Sequence, residues 1–343
     1  MNESIDGSTN EQLEVQTSPL DPARLTPEGP STIHKIFIGK DGLRAGWGIL
    51  IFIAMIFALL RGVSGIIRHY HLLPKMGPMD QELPPTVGII MEALPFLLAL
   101  LVTWIMSKIE KRPAGVYGLG SQRAVANFFG GFVWGIVCLS LLIVTLRRTG
   151  LLVFGTRLLF GADVIRYGLI WLLGFFTVGL LEEYLTRGYI LFTLTRGLAG
   201  IYEWIFKTRH SKALGFWTAA IGLSVLFGLG HGQNPGESPI GLLSAGLAGL
   251  VFCLSLWRTG SLWWAIGFHT TWDWAQSFLY GVADSGLMVQ HHLYATHPVG
   301  TALMSGGKTG PEGSIVVLPT LFLVCLIIIF TLPRREYGVA ATN

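Results

Sequence analysis

Leu180-Leu181-Glu182-Glu183-Tyr184-Leu185-Thr186-Arg187-Gly188-Tyr189-Ile190-Leu191 sets three ionisable side chains in the middle of a long apolar run. An Asp, Lys or Arg at a bilayer centre costs about 2.5–3.5 kcal/mol on insertion scales, so charges inside a span mark function by default. On a helix, Glu183 and Arg187 lie four apart and share a face, where they can neutralise each other. Glu182 lies one step round and is left available for other work.

Composition decides that the run is a membrane span. The chain has 343 residues, 51% hydrophobic and 13% charged, with mean hydropathy +0.57. Soluble domains carry about 25% charged residues, so this is an integral membrane protein with the bilayer as its solvent. The net charge of +4 matches the Lys/Arg excess of cytoplasmic loops. No basic run is long enough to bind nucleic acid. Cys138, Cys253 and Cys325 all fall in apolar runs, which suits neither a disulfide framework nor a cysteine metal site.

The expected fold is all-α, a polytopic bundle of about eight transmembrane helices. Residues 1–43 read as a flexible polar tail without a cleavable signal pattern. Apolar segments near the 20-residue spanning length fall at about 44–67, 86–108, 126–146, 164–195, 213–231, 239–257, 259–283 and 314–333. This divides the chain into the tail, N-terminal helices over 44–150, a core over 151–283, a loop over 284–313, and a last helix with a short tail over 314–343. Glu92 in the second span reads first as an interfacial acid and second as a cavity residue. The run 151–160 is apolar but too short to span. The linker 200–212 resembles a surface-lying amphipathic turn. Gly241, Ala245 and Gly249 form a small-residue stripe suited to close helix packing. His291, His292 and His297 are expected in an exposed loop. Lys and Arg are more frequent on the side that holds both termini, which orients both termini to the cytoplasm, as in a bacterial cell membrane.

Two further polar clusters accompany the Glu-Glu pair. Phe227 and His231 lie four apart, so the ring can pack beneath the imidazole. His269 and Asp273 are also four apart and reach one patch of the interior. Each cluster alone is ambiguous. Together they are hard to explain as packing, because each polar group needs a partner in a medium without water. One shared cavity is the economical solution.

Two mechanisms suit these groups. In one, Glu182 is the general base that activates water with His231, and His269 and Asp273 steady the oxyanion. In the other, Glu182, His231, His269 and Asp273 ligate a zinc ion that acidifies its bound water. The helical His-Glu-x-x-His signature is absent. Both predict a peptidase or other hydrolase cleaving an amide or ester in or beside the membrane.

Glu182-Glu183-x-x-x-Arg187, Phe227-x-x-x-His231 and His269-x-x-x-Asp273, in this order, resemble the CPBP family of intramembrane proteases. That family comprises type II CAAX prenyl endopeptidases and bacteriocin-processing and immunity relatives, also called Abi. The resemblance covers about residues 165–280. It implies peptide-bond hydrolysis in a membrane-associated or lipidated substrate, with Glu182 and His231 activating water and His269 and Asp273 supporting the oxyanion. Glu183, Arg187 and Phe227 would support them. The eukaryotic enzymes carry Asn where this chain has Asp273, and an ionised Asp only accepts hydrogen bonds.

Two other readings compete: a non-catalytic scaffold or immunity protein that keeps the polar site, and an ion relay. The spans also pose a geometric problem. With antiparallel neighbours, Glu182 near the end of span four would lie far from His231 at the end of span five. The two meet only if span four continues to about Arg196 and the helices are uneven in length.

Overall fold

The computed structural model describes residues 36–39, 42–72, 82–121 and 123–333. The tail expected over 1–43 falls mostly outside the described residues, as does the tail after residue 333.

The long apolar runs all become helices: α1 (Ala45–His69), α2 (Pro85–Ile109), α3 (Ala124–Arg148), α4 (Ala162–Tyr184), α5 (Leu191–Phe206), α6 (Ser211–Gly230), α7 (Pro239–Thr259), α8 (Trp263–Trp274) and α9 (Val317–Thr331). Their ends follow local chemistry. Pro85 and Pro239 occupy first-turn positions, where the missing N–H is no loss. Ser238 caps α7 by accepting from the Gly241 N–H at 3.0 Å.

Among the described residues, six helical segments are long and apolar enough to cross a membrane. The segments at Trp263–Trp274 and Val317–Thr331 are shorter, so the expectation of about eight spans is met only in part. Large apolar side chains facing outward, such as Phe57 on α1, Val125 on α3 and Phe330 on α9, suit a surface solvated by lipid. The molecule is an integral membrane protein.

The fourth span departs most from expectation. It runs from Ala162 to Phe206 rather than ending near residue 195. A π-helical stretch, Leu185–Ile190, joins α4 to α5, and Gly188 within it has non-helical torsions (φ −82°, ψ −108°). A Cβ at Gly188 would sit 3.0 Å from the Tyr184 ring and 3.2 Å from the Tyr117 carbonyl oxygen. The helix therefore changes course where its charged residues lie, as π-bulges at functional sites commonly do. Glu182 is about 30 Å along α4 from Ala162 at 1.5 Å per residue. Glu182 thus lies near the middle of a 45-residue segment and lines one cavity with His231 at the end of α6, which resolves the geometric problem.

Tight packing fixes α8 against α3. A Cβ at Gly131, Gly135 or Gly267 would strike the backbone of the opposite helix. The core of that half is built from Leu139, Leu142, Trp264, Phe268 and Val324. A second core around Tyr117, Tyr189 and Phe216 joins α1, α2, α5 and α6.

The run 151–160 is partly strand. Leu152–Arg157 pairs antiparallel with Tyr294–Pro298, Val153 opposite His297. The segment 284–313 is correspondingly more than an exposed loop. His291 stacks on Tyr167 with centroids 4.0 Å apart. His292 is buried, with Nδ1 bonded to the Tyr294 carbonyl at 2.8 Å and Nε2 3.4 Å from Glu82. Gly286 and Gly310 have φ of +82° and +104°, and a Cβ on them would strike the Pro235 and Ala283 carbonyls. Glycine there folds this segment down against the end of α6.

Candidate active site

α4 carries Glu182 and Glu183, and the π-helical turn presents Arg187 on the same face. The Arg187 Nη1 donates to Glu183 Oε1 at 2.8 Å and to Thr186 Oγ1 at 3.1 Å, and its Nε donates to the Gly249 carbonyl at 3.2 Å. Glu183 is fully buried and Arg187 is 2% exposed. The i,i+4 pair read from the sequence therefore exists, deep in the bundle.

Two phenylalanines flank this cation. The guanidinium lies 4.8 Å from the Phe227 ring centroid and 5.5 Å from that of Phe252, within cation–π range. The same rings touch the histidines: Phe227 meets His231 at 4.7 Å between centroids, and Phe252 meets His269 at 5.4 Å. Phe227 was expected beneath His231. Phe252 carries no sequence signal beyond its place three residues after Gly249.

Gly249 has a different use from the one its spacing suggested. A Cβ there would lie 2.7 Å from Arg187 Nη2 and 3.3 Å from Ser224 Oγ, so the missing side chain makes room for the guanidinium. Close helix approach occurs one face round, where a Cβ on Gly228 would meet the Leu242 carbonyl and the Gly246 backbone.

The histidines are held by their Nδ1 atoms. His231 Nδ1 is 2.8 Å from the Phe227 carbonyl. A carbonyl only accepts, so that nitrogen carries a proton, and in the neutral imidazole Nε2 is the one with the lone pair. His269 Nδ1 is 3.1 Å from Glu183 Oε1, while its Nε2 lies 3.6 Å from Glu182 Oε2 and 3.4 Å from Asp273 Oδ2. Glu183 thus couples Arg187 to His269, and His269 faces Glu182 and Asp273 in turn.

One cavity gathers these groups. Its empty space, counted out through its mouth, is about 1150 Å³, and Glu182, His231, His269 and Asp273 all line it. Glu92 lines it as well, so the interfacial reading of that residue is replaced by the cavity reading; it is near enough to Glu182 and His269 to interact electrostatically. Sequence reasoning missed Asn234, Asp284, Ser285 and Glu312, which also line the cavity. They sit in polar linkers where ordinary loop residues give no contrast. Ser285 donates to Glu312 Oε1 through its backbone N–H and, at 2.9 Å, through its hydroxyl. Asp284 and Glu312 lie between α8 and α9, outside the spans. Burial pushes both carboxyls above their ordinary range; the charges of Asp273 and Glu312 add to this for Asp284, and the Ser285 bonds pull Glu312 back.

A second, shallower cavity adjoins the first between the π-helical turn and α6, lined by Leu185, Ile190, Leu223 and Leu226 on its apolar side. Glu182, Phe227, His231 and Asn234 border both. Leu226, on its rim, and the neighbouring Leu229 are exposed, which gives this side of the site an apolar border.

The donor types of Glu182, His231, His269 and Asp273 suit zinc, but their placement does not. Among the described residues, no group of three or more His, Cys, Asp and Glu side chains is arranged to hold a metal ion. Cys138 and Cys253 are buried and Cys325 is half-buried, all as free thiols.

Residues 165–275 match the family model described as Rce1-like, type II CAAX prenyl endopeptidase Rce1-like. No curated protein and no solved structure gives a match. The matched stretch begins within α4 and ends one residue past α8, so it spans the helices that carry Glu182, His269 and Asp273 and the α6 end that carries His231, but not α2 with Glu92 or the segment with Glu312.

Proposed function

We propose that this chain, whose residues 165–275 belong to the Rce1-like family of type II CAAX prenyl endopeptidases, is an intramembrane endopeptidase that cleaves a membrane-associated peptide. The observation that carries this reading is the convergence of Glu182, His231, His269 and Asp273 on one cavity inside a bundle of membrane helices.

In the proposed reaction, Glu182 takes a proton from water as the water oxygen bonds to the scissile carbonyl carbon. The lone pair on His231 Nε2 holds the second water hydrogen, because Nδ1 is committed to the Phe227 carbonyl. The carbonyl π pair moves to oxygen. The C–N bond then breaks, and the proton on Glu182 passes to the leaving amine. Glu183 and Arg187 are positioning residues: their pair holds the Nδ1 side of His269, so its Nε2 stays turned towards Glu182 and Asp273. No zinc ion is needed for these steps.

The groove between the π-helical turn and α6 supports a substrate that approaches from the bilayer, lipidated or not. The cavity is built at one end of the bundle, from the start of α2, the end of α6, the start of α7, the end of α8 and the segment 284–312. Arg44, Lys108, Lys111, Arg112, Arg123, Lys207, Arg209, Lys212 and Arg258 lie at the other end, against Arg68, Arg147, Arg148, Arg157, Arg166 and Lys308 at the cavity end, and this excess favours the other end as the cytoplasmic one. The site then faces away from the cytoplasm, and a protein released or trimmed at the outer face is the expected substrate class.

Membrane proteomes of cells carrying wild type or Glu182→Gln test the proposal. At least one membrane protein is expected to persist at its uncleaved size in the variant. Full processing of that protein by Glu182→Gln overturns the assignment of the base, and a retained biological effect without any size shift points to a non-catalytic scaffold.

A further inference from the structure

His269 has carboxylates at both ring nitrogens: Glu183 at Nδ1, and Glu182 and Asp273 at Nε2. Asp273, while ionised, can only accept. Of the two groups that the family resemblance assigns to the oxyanion, only His269 can then donate, and its Nε2 is shared between Glu182 and Asp273. Hydrolysis needs a donor aimed at that oxygen.

The neutral donors that line the main cavity are few. Ser244 Oγ donates to the Gly241 and Glu312 carbonyls, Ser277 Oγ to Asp284, and Ser285 Oγ to Glu312. The Trp171 indole donates to the Gln290 carbonyl. Asn234 and the Trp272 indole have no side-chain hydrogen bond among the described residues. Of these two, Asn234 alone also borders the second cavity, together with Glu182 and His231. Its backbone is pinned at the end of the turn His231–Gln233: its N–H donates to the His231 carbonyl at 2.9 Å, and its own carbonyl accepts from Glu237 at 3.3 Å. Its position relative to His231 is thus set by the main chain, while its amide stays free.

The geometry points to the Asn234 side-chain amide as the hydrogen-bond donor to the scissile carbonyl oxygen, a catalytic residue that takes the place left by an Asp at position 273. It rests on the peptidase reading above. As water adds to the carbonyl carbon and its proton goes to Glu182, the carbonyl π pair localises on oxygen, and the Asn234 N–H bond to that oxygen strengthens. When the C–N bond breaks, the charge returns to the carboxyl product and the amide is released unchanged.

The probe is a positional-scanning library of internally quenched peptides, assayed with the full chain in detergent micelles. Wild type is expected to hydrolyse members of the library and Glu182→Gln is not. If wild type hydrolyses none, the peptidase reading is lost, and this inference with it. With the best peptide in hand, Asn234→Asp, which keeps shape but removes the donor, is expected to lower kcat roughly 100- to 1,000-fold with KM within threefold. Asn234→Ala, which also removes the donor, serves if the Asp variant does not fold, and each variant's melting temperature in micelles is compared with wild type. The same peptide carrying a thioamide at the scissile bond offers a poorer acceptor. Wild type is expected to discriminate against it strongly, and a folded Asn234 variant to lose most of that discrimination. A folded variant that retains kcat within threefold, or discriminates as wild type does, overturns the assignment.

Discussion

Replacing Arg187 by Met tests whether the buried ion pair is what permits charge in this helix. The side chains are similar in length, so the perturbation is mainly loss of charge and donors. Glu183, fully buried, would lose its 2.8 Å bond to Nη1 and keep His269 Nδ1 at 3.1 Å as its remaining partner, since its Oε2 already has none. The Gly249 carbonyl and Thr186 hydroxyl lose their contacts with the guanidinium as well. Removing one partner of a buried pair typically costs about 3–5 kcal/mol, or roughly 150- to 5,000-fold in the folding equilibrium at about 1.4 kcal/mol per tenfold. Adding Glu183→Gln removes the stranded charge and leaves an amide oxygen for His269. The double variant is expected to regain about 2 kcal/mol relative to Arg187→Met alone, within the range seen for coupled neighbours. Reversible unfolding in mixed detergent micelles titrated with SDS measures all four corners of the cycle. A coupling energy below about 0.5 kcal/mol would refute the reasoning, because the two substitutions would then act independently despite their contact.

The remaining predictions concern pH and sidedness. Asp284 has its carboxyl pushed above its ordinary value of 3.8 in the folded state. The native state then binds more protons than the unfolded state, so this residue's contribution to stability falls as pH rises from about 4 through the elevated value. Asp284→Asn is expected to gain on wild type in melting temperature as pH is raised from 4 to 8; parallel curves for the two proteins contradict this. For orientation, Lys308→Cys and Lys207→Cys in a background without native cysteines are treated with a membrane-impermeant maleimide on intact cells. Labelling of position 308 but not 207 is expected, and the reverse pattern turns the active site to the cytoplasm.

Much of the site was legible because a membrane interior makes polarity conspicuous. Glu182, Glu183, Arg187, His231, His269 and Asp273 stand out against apolar neighbours, and the four-residue spacings predict the Glu183–Arg187 and Phe227–His231 contacts that the structure contains. Asn234, Asp284, Ser285 and Glu312 were invisible for the complementary reason: in polar linkers they look like solvated loop residues. The expected exposed loop over 284–313 instead packs on the bundle, because Gly286 and Gly310 take positive φ at points where only a missing Cβ allows the approach to Pro235 and Ala283.

By itself, the sequence determined the membrane class, the placement of the helices and the identity of the charged groups, since apolar length, periodicity and composition are local properties. Only the tertiary structure decided how those groups meet. The fourth span extends to Phe206 and turns at a π-helical step, and Glu182 near its middle shares a cavity with His231 at the end of α6. Gly249 opens a space that Arg187 fills, and a distant segment closes over the cavity with two further carboxylates. Each of these depends on contacts between residues far apart in the chain, where steric fit between backbones, rather than any local pattern, sets the outcome.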